Sequence, residues 1–152
     1  MLAWRLAQRR FARDRRGYGA AIFGGRWNQR NVAANYAGLS VEIAVLEKFV
    51  HTAARPVPDL VLVRIELPED SHLYWHPSIA TLPRRWNETP GAEATAAFGT
   101  AFLREARFLG LIVPSAVVPE ARNIVINPMH LAFRNVRMRT VRAFAFDRQM
   151  FK

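Results

Sequence analysis

Between Ser40 and Leu67 the chain changes from one hydrophobic rhythm to another, and this change limits the folds open to it. Ser40 can N-cap a helix running from Val41 to about His51, with Glu42 in the first turn where the helix dipole favours a carboxylate. Arg55-Pro56-Val57-Pro58 ends that helix in a stiff connection. Leu60 to Leu67 is then apolar and β-branched, the composition of a buried strand. Other segments fall into place around this unit. Trp4 to Ala7 reads as an opening strand, Arg9 to Tyr18 as a loop or short helix, and Val32 to Ala37 as a weak strand. Ala92 to Leu109 reads as a helix with Gly110 as its C-cap. Leu111 to Val113 and Asn123 to Ile126 read as strands around Pro114–Pro119. Val136 to Phe146 reads as a terminal strand with its arginines largely on one face. Pro68 to Pro90 is loop-rich, carries Trp75 and Trp86, and is long enough to be expected at a site. The order β-α-β-α-β-β-β is that of a mixed α+β fold rather than of alternating βαβ units. At 152 residues a single domain over 1–152 is expected, large enough for a sizeable core.

Charge narrows the partners. Residues 1–30 carry eight arginines against Asp14, and residues 131–152 carry six basic side chains against Asp147. The middle of the chain has eight basic and ten acidic residues, so the net charge of +10 resides at the two ends. An acidic partner fits: a nucleotide, a nucleic acid or an acidic protein. A solvated basic surface fits equally. With no cysteine, disulfides, thiolate catalysis and a cysteine-based zinc site are excluded. His72 and His76 stand four apart between prolines, and no third ligand accompanies them, so no metal is expected. No signal peptide and no membrane-length apolar run is read, so a cytoplasmic protein is expected.

The residues able to carry chemistry form two segments. The first is Gly24-Gly25-Arg26-Trp27-Asn28, followed by Tyr36 and Glu47. Two glycines allow a tight turn with exposed amides, and Arg26 adds a forked donor suited to a diphosphate; a plain hairpin turn with a surface arginine is the other reading. Trp27 suits core or platform equally, and Tyr36 suits a core position with a satisfied hydroxyl. On a helical wheel Ile43, Leu46 and Val50 form an apolar arc with Glu47 at its edge, yet Glu42 lies near the same arc, so the wheel does not choose between them. The second segment runs Val113-Pro114-Ser115-Ala116 through Asn123 to Asn127-Pro128. No nucleophile elbow surrounds Ser115, which leaves it a hydrogen bond to ligand or backbone, with Asn123 and Asn127 pinning its loop. No P-loop and no dinucleotide-binding fingerprint occurs.

Taken together, these residues resemble the RES-domain toxins, the toxic half of bacterial RES–Xre toxin–antitoxin pairs. The family pattern has Gly-Gly-Arg-Trp-Asn, a tyrosine ten residues after the arginine and a glutamate eleven after the tyrosine; Gly24 to Asn28, Tyr36 and Glu47 keep both spacings. Val113 to Ala116, Asn123, Asn127 and Pro128 match the later pattern, and Trp4-Arg5, Leu82-Pro83 with Trp86, and Phe146-Asp147 also fit. Three places depart from it. Asn31 stands where the family often has glycine, Ala34-Asn35 stands where a more apolar pair precedes the tyrosine, and Ala37-Gly38-Leu39-Ser40 stands where a Thr/Ser-x-Glu-Ser-like run is usual.

The resemblance implies an α+β domain similar to the ADP-ribosyltransferase fold, central sheets flanked by helices, with NAD as substrate and no cofactor required. It implies a toxin that cleaves NAD at the nicotinamide–ribose bond, or alternatively ADP-ribosylates a protein. Glu47 would stabilise the oxocarbenium-like cation, Arg26 with Arg5 would hold the diphosphate, and Tyr36 would stack on or fix the nicotinamide ribose end. Ser115 would bond the ligand or position Glu47, and Asn123 would join the binding set. The implied partner is a cognate Xre-type antitoxin in a higher-order complex, with no membrane and with DNA contacted only through the antitoxin. From a different class, a basic nucleic-acid-binding module is suggested by the charge alone.

Overall fold

The structure, a computed structural model, describes residues 1–53 and 55–152. The apolar segments become seven strands: β1 (Leu2–Gln8), β2 (Asn35–Gly38), β3 (Leu60–Glu66), β4 (Tyr74–Trp75), β5 (Gly110–Pro114), β6 (Arg122–Ile126) and β7 (Arg137–Phe144). Three α-helices accompany them: α1 (Tyr18–Phe23), α2 (Val41–His51) and α3 (Glu93–Glu105). The strands form one sheet in the order β4-β5-β6-β2-β1-β3-β7. Only β4 and β5 run parallel; the other neighbours are antiparallel. The expected mixed α+β class is therefore the observed one.

The weak join in this sheet matters most for function. β1 pairs with β3 over seven residues, but it meets β2 through the single pair Trp4↔Gly38. The sheet nearly parts there, and α2 packs on both β1 and β2 across the gap. Ser40 caps α2 as expected, its Oγ accepting from the Ile43 amide at 3.2 Å. Gly38 brings the helix in close: a Cβ there would lie 2.6 Å from Ile43 Cγ2 and 2.9 Å from the Ala44 amide. At the far end of α2, Phe49 meets Phe146 and Phe151, each with ring centroids 5.6 Å away, so the C-terminal segment braces the helix.

Apolar side chains fill both faces of the sheet. Ala3, Val61, Val63, Ile65, Ile124 and Ile126 build the core on one face, closed by Phe133 and Val136. On the other face Leu111, Val113 and Val125 lie under Trp27, Trp86 and Phe102. Alternation along each strand accounts for this division, since neighbouring residues point to opposite faces. Tyr36, Val125 and Leu111 are in register across three strands and share the second face, while Asn35 and Ile126 share the first.

Several elements differ from expectation for visible reasons. α3 stops at Glu105 rather than Leu109, because Ala106 takes the left-handed conformation (φ 50°) and closes the helix. This release lets Phe108 reach Trp75 and lets the Leu109 amide donate to the Leu73 carbonyl at 2.8 Å. Gly110 begins β5 instead of capping α3. Pro68–Pro90 contains β4 and short 3-10 turns, and its Trp75 and Trp86 pack into the aromatic core rather than lining the cleft described below. Val50, placed on the apolar arc by the wheel, is 46% exposed; Ile43 and Ala44 are the buried residues of α2. β7 keeps its arginines on one face by means of a bulge. Arg137, Arg139 and Arg142 oppose Glu66, Arg64 and Leu62, with Val141 skipped between the last two pairings.

Asn31 has φ 69°, a conformation that glycine adopts freely and asparagine tolerates best among other residues. Asparagine at this position therefore meets a backbone demand that a β-branched residue would not. Asn31→Gly is expected to leave stability within about 0.5 kcal/mol, whereas Asn31→Val should cost about 1–2 kcal/mol. Urea unfolding of the two variants checks this, and equal stabilities would refute it.

Candidate active site

A cleft of about 230 Å³ opens at the parting of the sheet, lined by Trp4, Arg5, Leu6, Tyr36, Ala37, Gly38 and Asn123 together with one side of α2. Ala44, Glu47, Lys48 and His51 supply that side, at the spacing that puts them on one helical face. Glu47 is the carboxylate of the cleft, its side chain 21% exposed. Its Oε1 accepts two hydrogen bonds of 2.7 Å, one from Ser115 Oγ and one from Asn123 Nδ2. Oε2 lies 3.6 Å from His51 Nε2. Glu42 is exposed at the helix N-terminus, where its own amide and the Ser40 hydroxyl hold its carboxyl below the usual range. Tertiary partners therefore separate the two glutamates that helical phase left equivalent.

Ser115 is fully buried and joins two networks. Its Oγ donates to Glu47 and accepts from the Val117 and Val118 amides at 3.0 and 3.1 Å. The β5–β6 connection closes around it, with the Ser115 amide donating to the Ala121 carbonyl. Asn123 reaches Glu47 rather than the loop. Asn127 holds α3 instead, donating from Nδ2 to the Leu103 carbonyl at 2.9 Å.

Tyr36 presents its ring to the cleft, while its hydroxyl turns to the Gly-Gly-Arg-Trp-Asn turn. The hydroxyl donates to Asn28 Oδ1 at 2.6 Å and accepts from the Trp27 amide at 3.0 Å. Burial raises its pKa well above the ordinary value, so it remains protonated. Asn28 is itself buried and donates to the Ala20 and Val32 carbonyls. Gly25 is required at this place because a Cβ would come within 2.8 Å of both Tyr36 Oη and Asn28 Oδ1. The amides expected to stay open for an anion are used inside the turn: Gly24 donates to Ala20 and Gly25 to Asn28. Trp27 is core, 3% exposed and stacked at 6.4 Å on Trp86.

The two arginines expected at a diphosphate both donate to protein acceptors, and of the two only Arg5 lines the cleft. Arg26 Nη1 donates to the Trp86 and Glu88 carbonyls at 2.9 and 2.7 Å. Arg5 donates to Asn35 Oδ1 at 3.0 Å and to the Ala12 carbonyl at 2.7 Å, on the sheet face opposite Trp4 and Leu6. Burial lowers its pKa, with Asp14 opposing that shift. Lys48, which sequence reasoning passed over, also lies in the cleft, and the signal for it was its place one residue after Glu47 on the same helical face. Other basic residues are structural too. Arg15 donates to the Val136 and Phe133 carbonyls and lies over the Phe133 ring, and Arg9 pairs with Asp59. No helix among the described residues is long and apolar enough to cross a membrane.

Known proteins align along nearly the whole of this framework. The chain is 35% identical over 151 residues to "Toxin Res" of Yersinia enterocolitica, covering 97% of each. It is 37% identical over 145 residues to the "Prs ADP-ribosylating toxin" of a Sphingobium species, covering 93% of this chain and 89% of that one. Among solved structures, the crystal structure of the M. tuberculosis MbcT–MbcA toxin–antitoxin complex contains a chain that superposes with a TM-score of 0.69 at 16% identity, covering 99% of this chain and 86% of that one. At that identity the likeness is one of fold, a mixed α+β domain. The RES domain model matches residues 2–148, and with these relatives it places the chain in the RES-domain family.

Proposed function

We propose that the chain cleaves NAD between nicotinamide and ribose and is the toxin of a toxin–antitoxin pair, with a cognate Xre-type antitoxin covering the cleft. The observation that carries this reading is the Glu47 carboxylate. Ser115 and Asn123 fix one of its oxygens from a different part of the chain, and the group faces an open cleft. A carboxylate so held cannot swing away, and its charge is available to a cation forming beside it. The names of the aligned relatives and the toxin–antitoxin complex sharing this fold support the biological half of the reading.

The chemistry follows from charge. The bond from the anomeric carbon to the nicotinamide nitrogen breaks, and its electron pair leaves with a neutral base. The ribose ring becomes oxocarbenium-like, and Glu47 stabilises that positive charge. An oxygen of water or phosphate then bonds the anomeric carbon and loses its proton. The Tyr36 ring supplies a flat wall for the nicotinamide end. A second reading, ADP-ribosyl transfer to a protein side chain, uses the same first step with a different acceptor, and the Sphingobium relative favours it.

Purified protein incubated with NAD, without antitoxin, should release free nicotinamide. Release no greater than that of a Glu47→Ala control would overturn the enzymatic reading. Mass analysis of the ribose product separates water, phosphate and protein acceptors.

A further inference from the structure

We infer that Lys48 is the cation that binds the phosphates of a nucleotide in this cleft, a role that the family resemblance gave to Arg26 and Arg5. The inference rests on the reading of the cleft as a nucleotide site. Arg26 does not line the cleft and spends Nη1 on two backbone carbonyls. Arg5 lines the cleft, but its Nη1 and Nη2 donate to Asn35 and Ala12 on the opposite face of the sheet. Lys48 and His51 remain on the cleft side of α2, and His51 Nε2 is 3.6 Å from the Glu47 carboxylate. The Lys48 ammonium makes no hydrogen bond and no ion pair with any described residue, although the side chain is half-buried in the cleft wall.

An ammonium removed in part from water with no partner is costly, and an anion arriving in the cleft removes that cost. Desolvation lowers the Lys48 pKa, with the positive charge of Arg5 adding to the effect, as expected of a site that lacks its counter-charge. Placement supports the same role. Lys48 follows Glu47 directly and lies on the same helical face, so a ligand with its ribose at the carboxylate can extend along α2 toward the ammonium. Lysine binds phosphate as a point charge on a flexible stem, which suits a diphosphate better than a fixed planar fork when the ligand must shift as the glycosidic bond breaks.

Calorimetric titration of the whole chain with ADP-ribose, inorganic diphosphate and phosphate-free nicotinamide riboside tests the inference. Lys48→Ala should weaken ADP-ribose and diphosphate about tenfold and leave nicotinamide riboside unchanged, and Lys48→Arg should recover most of the loss. Equal binding of ADP-ribose by wild type and Lys48→Ala overturns the role. So does an equal loss of nicotinamide riboside, which would mark a general collapse of the cleft, and so does failure of wild type to bind any phosphate-bearing probe. Release of nicotinamide from NAD is scored separately, so failure of the cleavage reading is distinguished from failure of the Lys48 role.

Discussion

Replacing Glu47 with glutamine should cut nicotinamide release by at least 10²–10³-fold, the scale on which a single electrostatic group acts at a developing charge. The variant should fold like the wild type. A glutamine carbonyl in place of Oε1 can still accept from Ser115 Oγ and Asn123 Nδ2, and no atom is added to or lost from the packing. A stability change below ~1 kcal/mol is expected, which for a chain of this size is about 2–4 °C in Tm. Loss of charge and loss of structure are thereby separated. If Glu47 only anchors α2 to the β5–β6 connection, glutamine should serve nearly as well and the rate should barely move. If its charge stabilises the transition state, rate falls and Tm does not. Nicotinamide release and a melting curve on one preparation decide between these results. A rate within threefold of wild type rules out the electrostatic role.

This contrast also marks what the sequence made legible. The Ser40 cap, the proline stop and the β-branched run after it appear in the structure close to where local chemistry puts them, because each depends on neighbours a few residues away. The choice of Glu47 over Glu42 does not. It is made by Ser115 and Asn123, 68 and 76 residues distant, and a helical wheel holds no information about them. Family spacing singled out Glu47 where local physics could not. For Arg26 and Arg5 the resemblance fixes only where each side chain starts, whereas the carbonyls of Trp86, Glu88 and Ala12 take up guanidinium nitrogens. Lys48 is the converse case, an unremarkable helix lysine until the parting of β1 from β2 places it in a cleft. The early end of α3 has a similar origin, since Ala106 enters the left-handed region so that Phe108 and Leu109 can reach the core, against its own helix preference.

Gly99→Ala is expected to be among the most damaging small substitutions in the chain. Gly99 lies inside α3, where alanine normally gains about 1 kcal/mol over glycine. Here the added Cβ would overlap the Trp27 carbonyl oxygen and crowd the rest of that backbone. Trp27 has little room to retreat, because its ring is held between Trp86 and Phe98. A net cost of about 3 kcal/mol or more is expected, or roughly 6–12 °C in Tm. Gly19→Ala is the control: it also lies in a helix, but its Cβ would meet nothing within 4 Å, so it should be neutral or stabilise by up to ~1 kcal/mol. Melting curves of the two variants test the contrast, and a Gly99→Ala Tm within 2 °C of wild type would refute it. The damage should extend to the cleft. The Trp27 amide donates to the Tyr36 hydroxyl, and that hydroxyl holds the Tyr36 ring against the cleft. Any Gly99→Ala protein that folds should therefore release nicotinamide more slowly than its folded fraction alone explains, because moving Trp27 moves the wall on which the nicotinamide end rests.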